Sequence, residues 1–116
     1  MDLLIGGSGS GSLIKLWENP TTNEFPAQEI YLPGLSKYDA VIIVTNSDGN
    51  LSYLYNPPVF IPNKAPNLSG AVNYQGTFFR RTDVDFVLEK VVVHNATTTG
   101  TDNRYLVPMI IYGVKF

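Results

Sequence analysis

Residues 35–44 read Leu35-Ser36-Lys37-Tyr38-Asp39-Ala40-Val41-Ile42-Ile43-Val44, and the apolar half of this stretch decides the fold class. From Ala40 to Val44 every side chain is apolar, so a β-strand here presents apolar residues to both of its faces. Such a strand lies at the centre of a sheet or is covered on both sides. The stretch therefore predicts a strand that is central or covered on both sides. No segment of the chain keeps a convincing 3.6-residue apolar period of an amphipathic helix.

Turn-forming residues divide the rest of the chain into short strands. Eight prolines punctuate the sequence, and Ser47-Asp48-Gly49-Asn50 contains the Asp-Gly pair of a β-hairpin turn. This spacing predicts one all-β domain, a single antiparallel β-sandwich of jelly-roll-like type with little or no helix. The predicted strands cover residues 13–18, 27–32, 39–46, 51–55, 58–61, 71–74, 77–82, 84–94 and 105–115.

The stretch from Val84 to Asn95 has no cleanly apolar face, because Glu89 and Lys90 interrupt both of its alternating sets. A β-bulge near Glu89-Lys90 would reset the alternation and keep these charges out of the core. The predicted core combines residues of this stretch with residues around Trp17, in 35–44 and in 105–115. It consists of Trp17, Tyr38, Ile42, Val44, Phe86, Leu88, Ile110 and Tyr112.

The composition of the 116 residues fits one small domain. Residues 6–12 are all glycine and serine, so residues 1–12 are predicted to be a flexible arm or linker and residues 13–116 the β-sandwich domain. Charged residues make up 16% of the chain, against about 25% in an average domain. This low charge indicates either a surface that is buried in an assembly or one that Asn, Thr and Ser keep soluble.

Charge and cysteine content exclude several classes of partner. The net charge is −2, and a strand points the side chains of the basic doublet Arg80-Arg81 to opposite faces, so we expect no nucleic-acid partner. The chain has no cysteine, which excludes disulfides and thiolate metal sites. No apolar run reaches the roughly 18 residues of a transmembrane helix, so we expect no membrane partner.

The titratable residues form no convincing catalytic or metal-binding set. His94 is the one histidine, and Asp83 and Asp85, the nearest clustered acids, have the opposite parity along the predicted strand. Thr82, Asp83, Asp85 and Asp102 offer oxygen ligands to a hard cation, but their spacing matches no calcium loop. The serines lie in the linker and in turns, with no nucleophile-elbow motif. The sequence therefore predicts a protein that is not an enzyme and has no cofactor and no metal site.

Aromatic and amide residues are concentrated in the irregular middle of the chain. Aromatic ring faces stack on the C–H patches of sugars and amides hydrogen-bond sugar hydroxyls, so this composition is typical of a carbohydrate site. The alternative is that aromatic residues and asparagines are simply common in β-sandwich loops. The candidate glycan contacts are Tyr53, Tyr55, Asn56, Phe60, Asn63, Asn67, Asn73 and Tyr74.

Three phrases of the sequence, together with the stretch quoted above, carry a resemblance to a known family. They are Leu16-Trp17-Glu18-Asn19-Pro20, Phe25-Pro26-Ala27-Gln28-Glu29-Ile30-Tyr31-Leu32 and Pro108-Met109-Ile110-Ile111-Tyr112-Gly113-Val114-Lys115. In this order and spacing they resemble the C-terminal tip domain of tail-fibre and receptor-binding proteins of bacteriophages and prophages of Gram-positive bacteria. The resemblance covers residues 14–46 and 105–115, whereas residues 47–80 are unlike the family pattern.

The resemblance implies a β-sandwich that forms homotrimers at a fibre tip and binds cell-wall polysaccharide or other surface glycans, without catalytic residues. The expected protein is a virion structural protein made in the host cytoplasm, whose partners are its own copies, other virion proteins and host cell-surface polysaccharide. The alternatives are an architectural capsid, head-fibre or minor tail protein, and a stand-alone carbohydrate-binding module. In the family a virion-anchoring shoulder and stalk precede the tip, and here Leu3, Leu4 and Ile5 are the candidate virion anchor.

Overall fold

Two antiparallel four-stranded sheets pack against each other as a β-sandwich, which confirms the predicted fold class. The computed structural model describes residues 11–20, 24–46, 56–63 and 68–116. Within these ranges the strands are β1 Ser12–Glu18, β2 Gln28–Tyr31, β3 Ala40–Thr45, β4 Val59–Pro62, β5 Leu68–Gln75, β6 Phe78–Asp85, β7 Lys90–Val93 and β8 Pro108–Lys115, with one 3₁₀ turn at Leu35–Lys37.

The strand order of the two sheets agrees in part with that of a jelly roll. Sheet A has the order β1-β8-β3-β4 and sheet B has the order β2-β7-β6-β5. The pairs β1–β8 and β2–β7 join the two ends of the chain, as the outer strand pairs of a jelly roll do. The pair β3–β8 also joins distant parts of the chain, whereas β3–β4, β5–β6 and β6–β7 pair strands that are neighbours in sequence. Local pairing of this kind avoids the larger entropy cost of closing long loops.

The stretch that decided the fold class forms β3, and β3 is a central strand of sheet A, as predicted. It pairs with β8 on one side and with β4 on the other, which places Ile43 between Ile111 and Val59. Val41, Ile43 and Ile111 are buried and face the opposite sheet. The inward face of β3 continues to Thr45, whose hydroxyl accepts a hydrogen bond from the Asn73 side chain of sheet B at 3.0 Å.

The core lies between the sheets and is made mostly of aliphatic side chains from both, together with Phe25 and Phe86. Its buried members include Phe25, Ile30, Leu32, Leu35, Val41, Ile43, Ile61, Val84, Phe86, Val91, Val93, Val107 and Ile111. Trp17 packs against this cluster from β1 and meets Phe25 edge to face, with ring centroids 5.8 Å apart. Gly113 admits the Tyr38 ring, since a Cβ at this position would lie 2.7 Å from it.

The predicted core is correct for Phe86 and wrong in its choice of strand face. Ile42, Val44, Ile110 and Tyr112 lie on the outer face of sheet A and are only partly buried. Trp17 and Tyr38 are also partly buried. Both alternating sets of β3 and β8 are apolar, so the alternation alone does not identify the inner face.

The predicted strand over 84–94 with a β-bulge is wrong, because residues 86–89 form a turn between β6 and β7. The Asp85 carboxylate accepts hydrogen bonds from the backbone N–H groups of Val87 and Leu88, which bends the chain. Glu89 completes the turn with a positive φ of 58°. Leu88, predicted to be core, projects from this turn and is 62% exposed.

A tight hairpin joins β5 to β6 at Gly76-Thr77. Gly76 has a φ of 62°, and a glycine at the first central position is what a type II′ turn requires. The turn fixes the register that sets Tyr74 opposite Phe79 and Val72 opposite Arg81. The strand predicted over 51–55 lies outside the described residues. Among the described residues no helix has the length and apolarity to cross a bilayer.

Candidate functional site

The first candidate surface is the outer face of sheet A, whose residues are mostly apolar. Ala40 and Val114 on this face are buried, and most of its other apolar residues are half-buried. The strand register places alternate residues of the four strands on this face, because directly paired residues of antiparallel strands share a side. Phe60 and Phe116 are 50% and 61% exposed and stack on each other with ring centroids 6.5 Å apart. The apolar residues of this face are Leu13, Ala40, Ile42, Val44, Phe60, Pro62, Ile110, Tyr112, Val114 and Phe116.

The outer face of sheet A is also close to electrically neutral. Its charged strand residues, within the described part of the chain, are Lys15 and Glu18 on the edge strand β1. They form an ion pair of 2.7 Å with each other, and the Glu18 carboxylate raises the pKa of Lys15. The exposed aromatic pair Phe60 and Phe116 is the part of this face that favours an interaction surface, since contiguous exposed apolar residues often mark one.

The second candidate surface is the outer face of sheet B, which combines exposed aromatic rings with charged groups. Tyr74 and Phe79 are paired across β5 and β6, and their ring centroids are 6.3 Å apart. Val72 and Arg81 form the next pair along the same strands. The His94 N–H donates to the Arg81 carbonyl at 3.0 Å, so His94 continues this row onto the neighbouring strand.

A hydrogen-bonded group of three charged or titratable residues lies beside the aromatic pair. The Asp83 carboxylate accepts from Arg81 Nε through one oxygen and contacts His94 Nε2 through the other, both at 2.9 Å. Gly70 lies directly opposite Asp83, and a side chain at position 70 would overlap the Asp83 carboxylate. The parity argument that kept His94 away from Asp83 is therefore wrong, because the turn at 86–89 puts the two residues on different strands.

The two arginines of the basic doublet point in opposite directions, as predicted. Arg81 faces solvent, whereas Arg80 is 1% exposed and lies between the sheets. The Arg80 guanidinium donates four hydrogen bonds of 2.7 to 3.3 Å, to the backbone carbonyls of Phe25, His94, Asn103 and Tyr105. Burial lowers the pKa of Arg80 to about 10, so the side chain remains a cation at neutral pH. Its partners are all backbone groups, which gives it a structural role.

The candidate glycan contacts that are described do not converge. Phe60 lies on the outer face of sheet A and Tyr74 on that of sheet B, at opposite sides of the sandwich. The Asn56 and Asn73 side chains both donate to Thr45 Oγ1 inside the molecule. Asn63 donates to the Tyr38 carbonyl at 2.9 Å. The candidate contacts Tyr53, Tyr55 and Asn67, and the candidate anchor residues Leu3, Leu4 and Ile5, lie outside the described residues.

The acidic residues weighed as cation ligands are engaged with protein groups. Asp102 accepts from Arg104 Nε and Nη2, and these bonds lower the pKa of Asp102 to about 2. Asp85 accepts the two N–H groups of the turn at 86–89, and Asp83 is shared by Arg81 and His94. In the ranges that the structure describes, no three His, Cys, Asp or Glu residues are grouped as metal ligands.

The residues that the sequence did not single out are Phe79, Arg81 and Val72, which share the outer face of sheet B with Tyr74. Alternation over residues 78–85 was the available signal, because Arg81 and Asp83 fall on the same side as Phe79 in a strand. Pairing across two strands is not visible in that alternation. Comparisons of the chain with protein-family models, curated proteins and solved structures find no match.

Proposed function

We propose that this chain is a non-enzymatic structural protein of a bacteriophage virion, a tip-like domain of a tail fibre or receptor-binding protein. Its copies assemble as a homotrimer, contact other virion proteins and hold a glycan-binding surface towards the host cell. The proposal is supported by the resemblance of residues 14–46 and 105–115 to such tip domains, and by the β-sandwich that this resemblance implies.

The observation that carries the proposal is the apolar outer face of sheet A. Phe60 and Phe116 are exposed on this face, and Lys15 and Glu18 form an ion pair at its edge. Identical faces bring identical charges together, and a face without an unpaired charge avoids that repulsion. We infer that further copies of the chain cover this face and leave the outer face of sheet B free.

A second candidate function is a stand-alone carbohydrate-binding module. The exposed pair of Tyr74 and Phe79 on sheet B favours it, because such a surface needs no second copy to bind a sugar. The two functions differ in how strongly glycan binding depends on oligomerisation. A fibre tip gains avidity from several copies, whereas a stand-alone module binds equally well as a monomer.

A cell-wall retention assay separates these functions. The 116-residue chain is applied to cell walls purified from a panel of Gram-positive bacteria. A double variant, Phe60→Ser with Phe116→Ser, interrupts the outer face of sheet A, and Leu88→Ser is the matched control because Leu88 is 62% exposed but lies on the turn at 86–89. We expect the wild-type chain to be retained on the walls of some hosts, the double variant to be retained roughly 100-fold less, and the control to match the wild type.

Two results would change the assignment. Equal retention of the wild type and the double variant, both as monomers, would replace the fibre tip by the stand-alone module. No retention on any cell wall would leave an architectural virion role and remove adhesion from the proposal.

A further inference from the structure

We propose that one corner of sheet B, formed by Tyr74, Phe79, Arg81 and the adjoining Val72, binds a saccharide unit that carries a carboxylate or a phosphate. This inference rests on the proposed function only for the location of the ligand on a cell surface. It adds the ligand class and the residues that recognise it.

The aromatic pair supplies a platform for a sugar ring. Tyr74 is 64% exposed and Phe79 is also among the exposed large apolar residues. Their rings are inclined by 47° and do not cover each other face to face. Val72 extends the apolar area along β5. Among the described residues β5 is an edge strand of sheet B, so that no described strand lies between this surface and a polymer that approaches from the β5 side.

Arg81 supplies the charge that selects an acidic sugar. Its side chain is 60% exposed, and Asp83 takes only its Nε–H. A guanidinium has five N–H donors in one plane, so the two Nη groups remain able to grip a carboxylate or a phosphate with two parallel bonds. Within the described residues these Nη groups have no hydrogen-bond acceptor.

The neighbours of Arg81 hold its guanidinium in place. The Asp83 carboxylate is shared between Arg81 and His94, at 2.9 Å from each. Gly70 leaves room for this carboxylate at the surface of β5. Asp83 and His94 are therefore positioning residues, and they fix the guanidinium before any ligand arrives, which lowers the entropy cost of binding.

The strand geometry sets the distance between ring and charge. Phe79 and Arg81 are two residues apart on β6 and project to the same side. A strand rises about 3.3 Å per residue, so the two side chains leave the sheet roughly 6.6 Å apart. One saccharide unit can therefore contact the Phe79 ring and the Arg81 guanidinium together. A neutral sugar would leave the Nη groups of Arg81 without an anionic acceptor.

The opposite corner of the same face provides a control. Tyr31 is 64% exposed, like Tyr74, and lies beside a cation, Lys90. Here Glu29 already accepts from the Tyr31 hydroxyl at 2.7 Å and from the Lys90 ammonium at 3.3 Å. The ring hydroxyl and the charge of this corner are thus both engaged, and we expect no anionic ligand to bind there.

Binding is tested by titrating the isotope-labelled 116-residue chain with oligogalacturonate, its neutral methyl ester and phosphorylated maltohexaose, and following amide NMR shifts residue by residue. The two acidic probes separate a carboxylate ligand from a phosphate ligand. We expect at least one of them to shift the amides around Tyr74, Phe79 and Arg81, and the methyl ester to bind roughly tenfold more weakly or worse.

The variants are Tyr74→Ala and Arg81→Gln, each expected to weaken binding by roughly tenfold or more. The matched controls are Tyr31→Ala and Arg104→Gln, since Arg104 is as exposed as Arg81 but lies in a loop.

Three outcomes would overturn the inference: no shift with either acidic probe at millimolar concentration, equal binding of the neutral ester, or an equal effect of Tyr31→Ala and Tyr74→Ala. These results are distinct from failure of the proposed function. If walls retain the chain while the shifts map elsewhere, the corner is wrong and adhesion stands. If the corner binds acidic sugars but no cell wall retains the chain, the site stands and adhesion falls.

Discussion

Arg80 shows how a single side chain closes one end of the sandwich. Its four carbonyl partners belong to three segments, around Phe25, His94 and the loop of Asn103 and Tyr105. Buried backbone carbonyls are costly to leave unpaired, and of these four the Asn103 carbonyl also accepts from the Phe25 N–H at 3.0 Å. The guanidinium thus donates hydrogen bonds to backbone carbonyls that lie outside the strands.

Replacing Arg80 by lysine is expected to destabilise the fold by about 2–4 kcal/mol, since one ammonium cannot reach four carbonyls arranged around a planar fork. The measurement is chemical denaturation of both variants of the doublet. Arg81→Lys is the control, and because it faces solvent we expect it to change the free energy of unfolding by less than about 0.5 kcal/mol. Equal losses at both positions would contradict the structural role of Arg80.

Glu89 contributes a pH dependence to stability. Its carboxylate accepts from the Ser36 backbone N–H at 3.1 Å and from the Ser36 hydroxyl at 3.0 Å. These hydrogen bonds hold the pKa of Glu89 below its ordinary value of 4.5. Because the folded pKa is the lower one, the stabilisation is complete above pH 4.5 and is lost as the pH falls through the folded pKa.

Glu89→Gln should therefore flatten the acid limb of the stability curve. The variant keeps an oxygen acceptor for Ser36 and does not titrate. We expect the difference in unfolding free energy between wild type and variant to be constant above pH 4.5 and to shrink as the pH falls below it. Denaturation midpoints measured across that range check this, and a difference that is independent of pH would show that the Ser36 contacts do not bind the charged form preferentially.

At the scale of elements, the apolar strands β3 and β8 show why a central strand can be predicted from the sequence while its core-facing side cannot. A run of apolar residues from Ala40 to Val44 was enough to predict a central strand, since few other environments accept apolar residues on both sides. The same run concealed which side faces the core. The inner residues Val41 and Ile43 differ from the outer residues Ile42 and Val44 only in their partners on the other sheet.

This distinction predicts unequal costs of truncation in the monomer. Ile43→Ala removes a buried side chain and is expected to cost about 2–5 kcal/mol. Ile42→Ala removes one from the outer face and should cost about 1 kcal/mol or less in dilute solution. Urea denaturation at low protein concentration compares the two. Equal costs would mean that the outer face of sheet A is already packed within one chain.

The turn at 86–89 shows a second limit of pattern reading. Val87 and Leu88 look like core residues because they continue an alternating apolar set. The Asp85 side chain overrides that pattern by accepting their backbone N–H groups, which makes a turn cheaper than a continued strand. Short-range competition of this kind depends on hydrogen-bond geometry, and an alternation count does not contain it.

At the scale of the whole molecule, the two outer faces of the sandwich carry different side chains, mostly apolar on sheet A and both aromatic and charged on sheet B. The sequence predicted that aromatic residues, Tyr74 among them, would contact a glycan, and the structure places Tyr74 at the surface, 64% exposed. It could not group Tyr74 with Phe79 and Arg81, because that grouping depends on the β5–β6 register. It also grouped Phe60 with Tyr74, although the two sheets carry them to opposite sides.

The central claim is that copies of this chain assemble through the outer face of sheet A, and molar mass in solution tests it most directly. Multi-angle light scattering at high micromolar concentration is expected to give a multiple of the 12.8 kDa chain mass, three-fold for a trimer. The double variant Phe60→Ser with Phe116→Ser is expected to give the monomer mass, and Leu88→Ser the wild-type mass. A wild-type chain that stays at 12.8 kDa at these concentrations would contradict the claim.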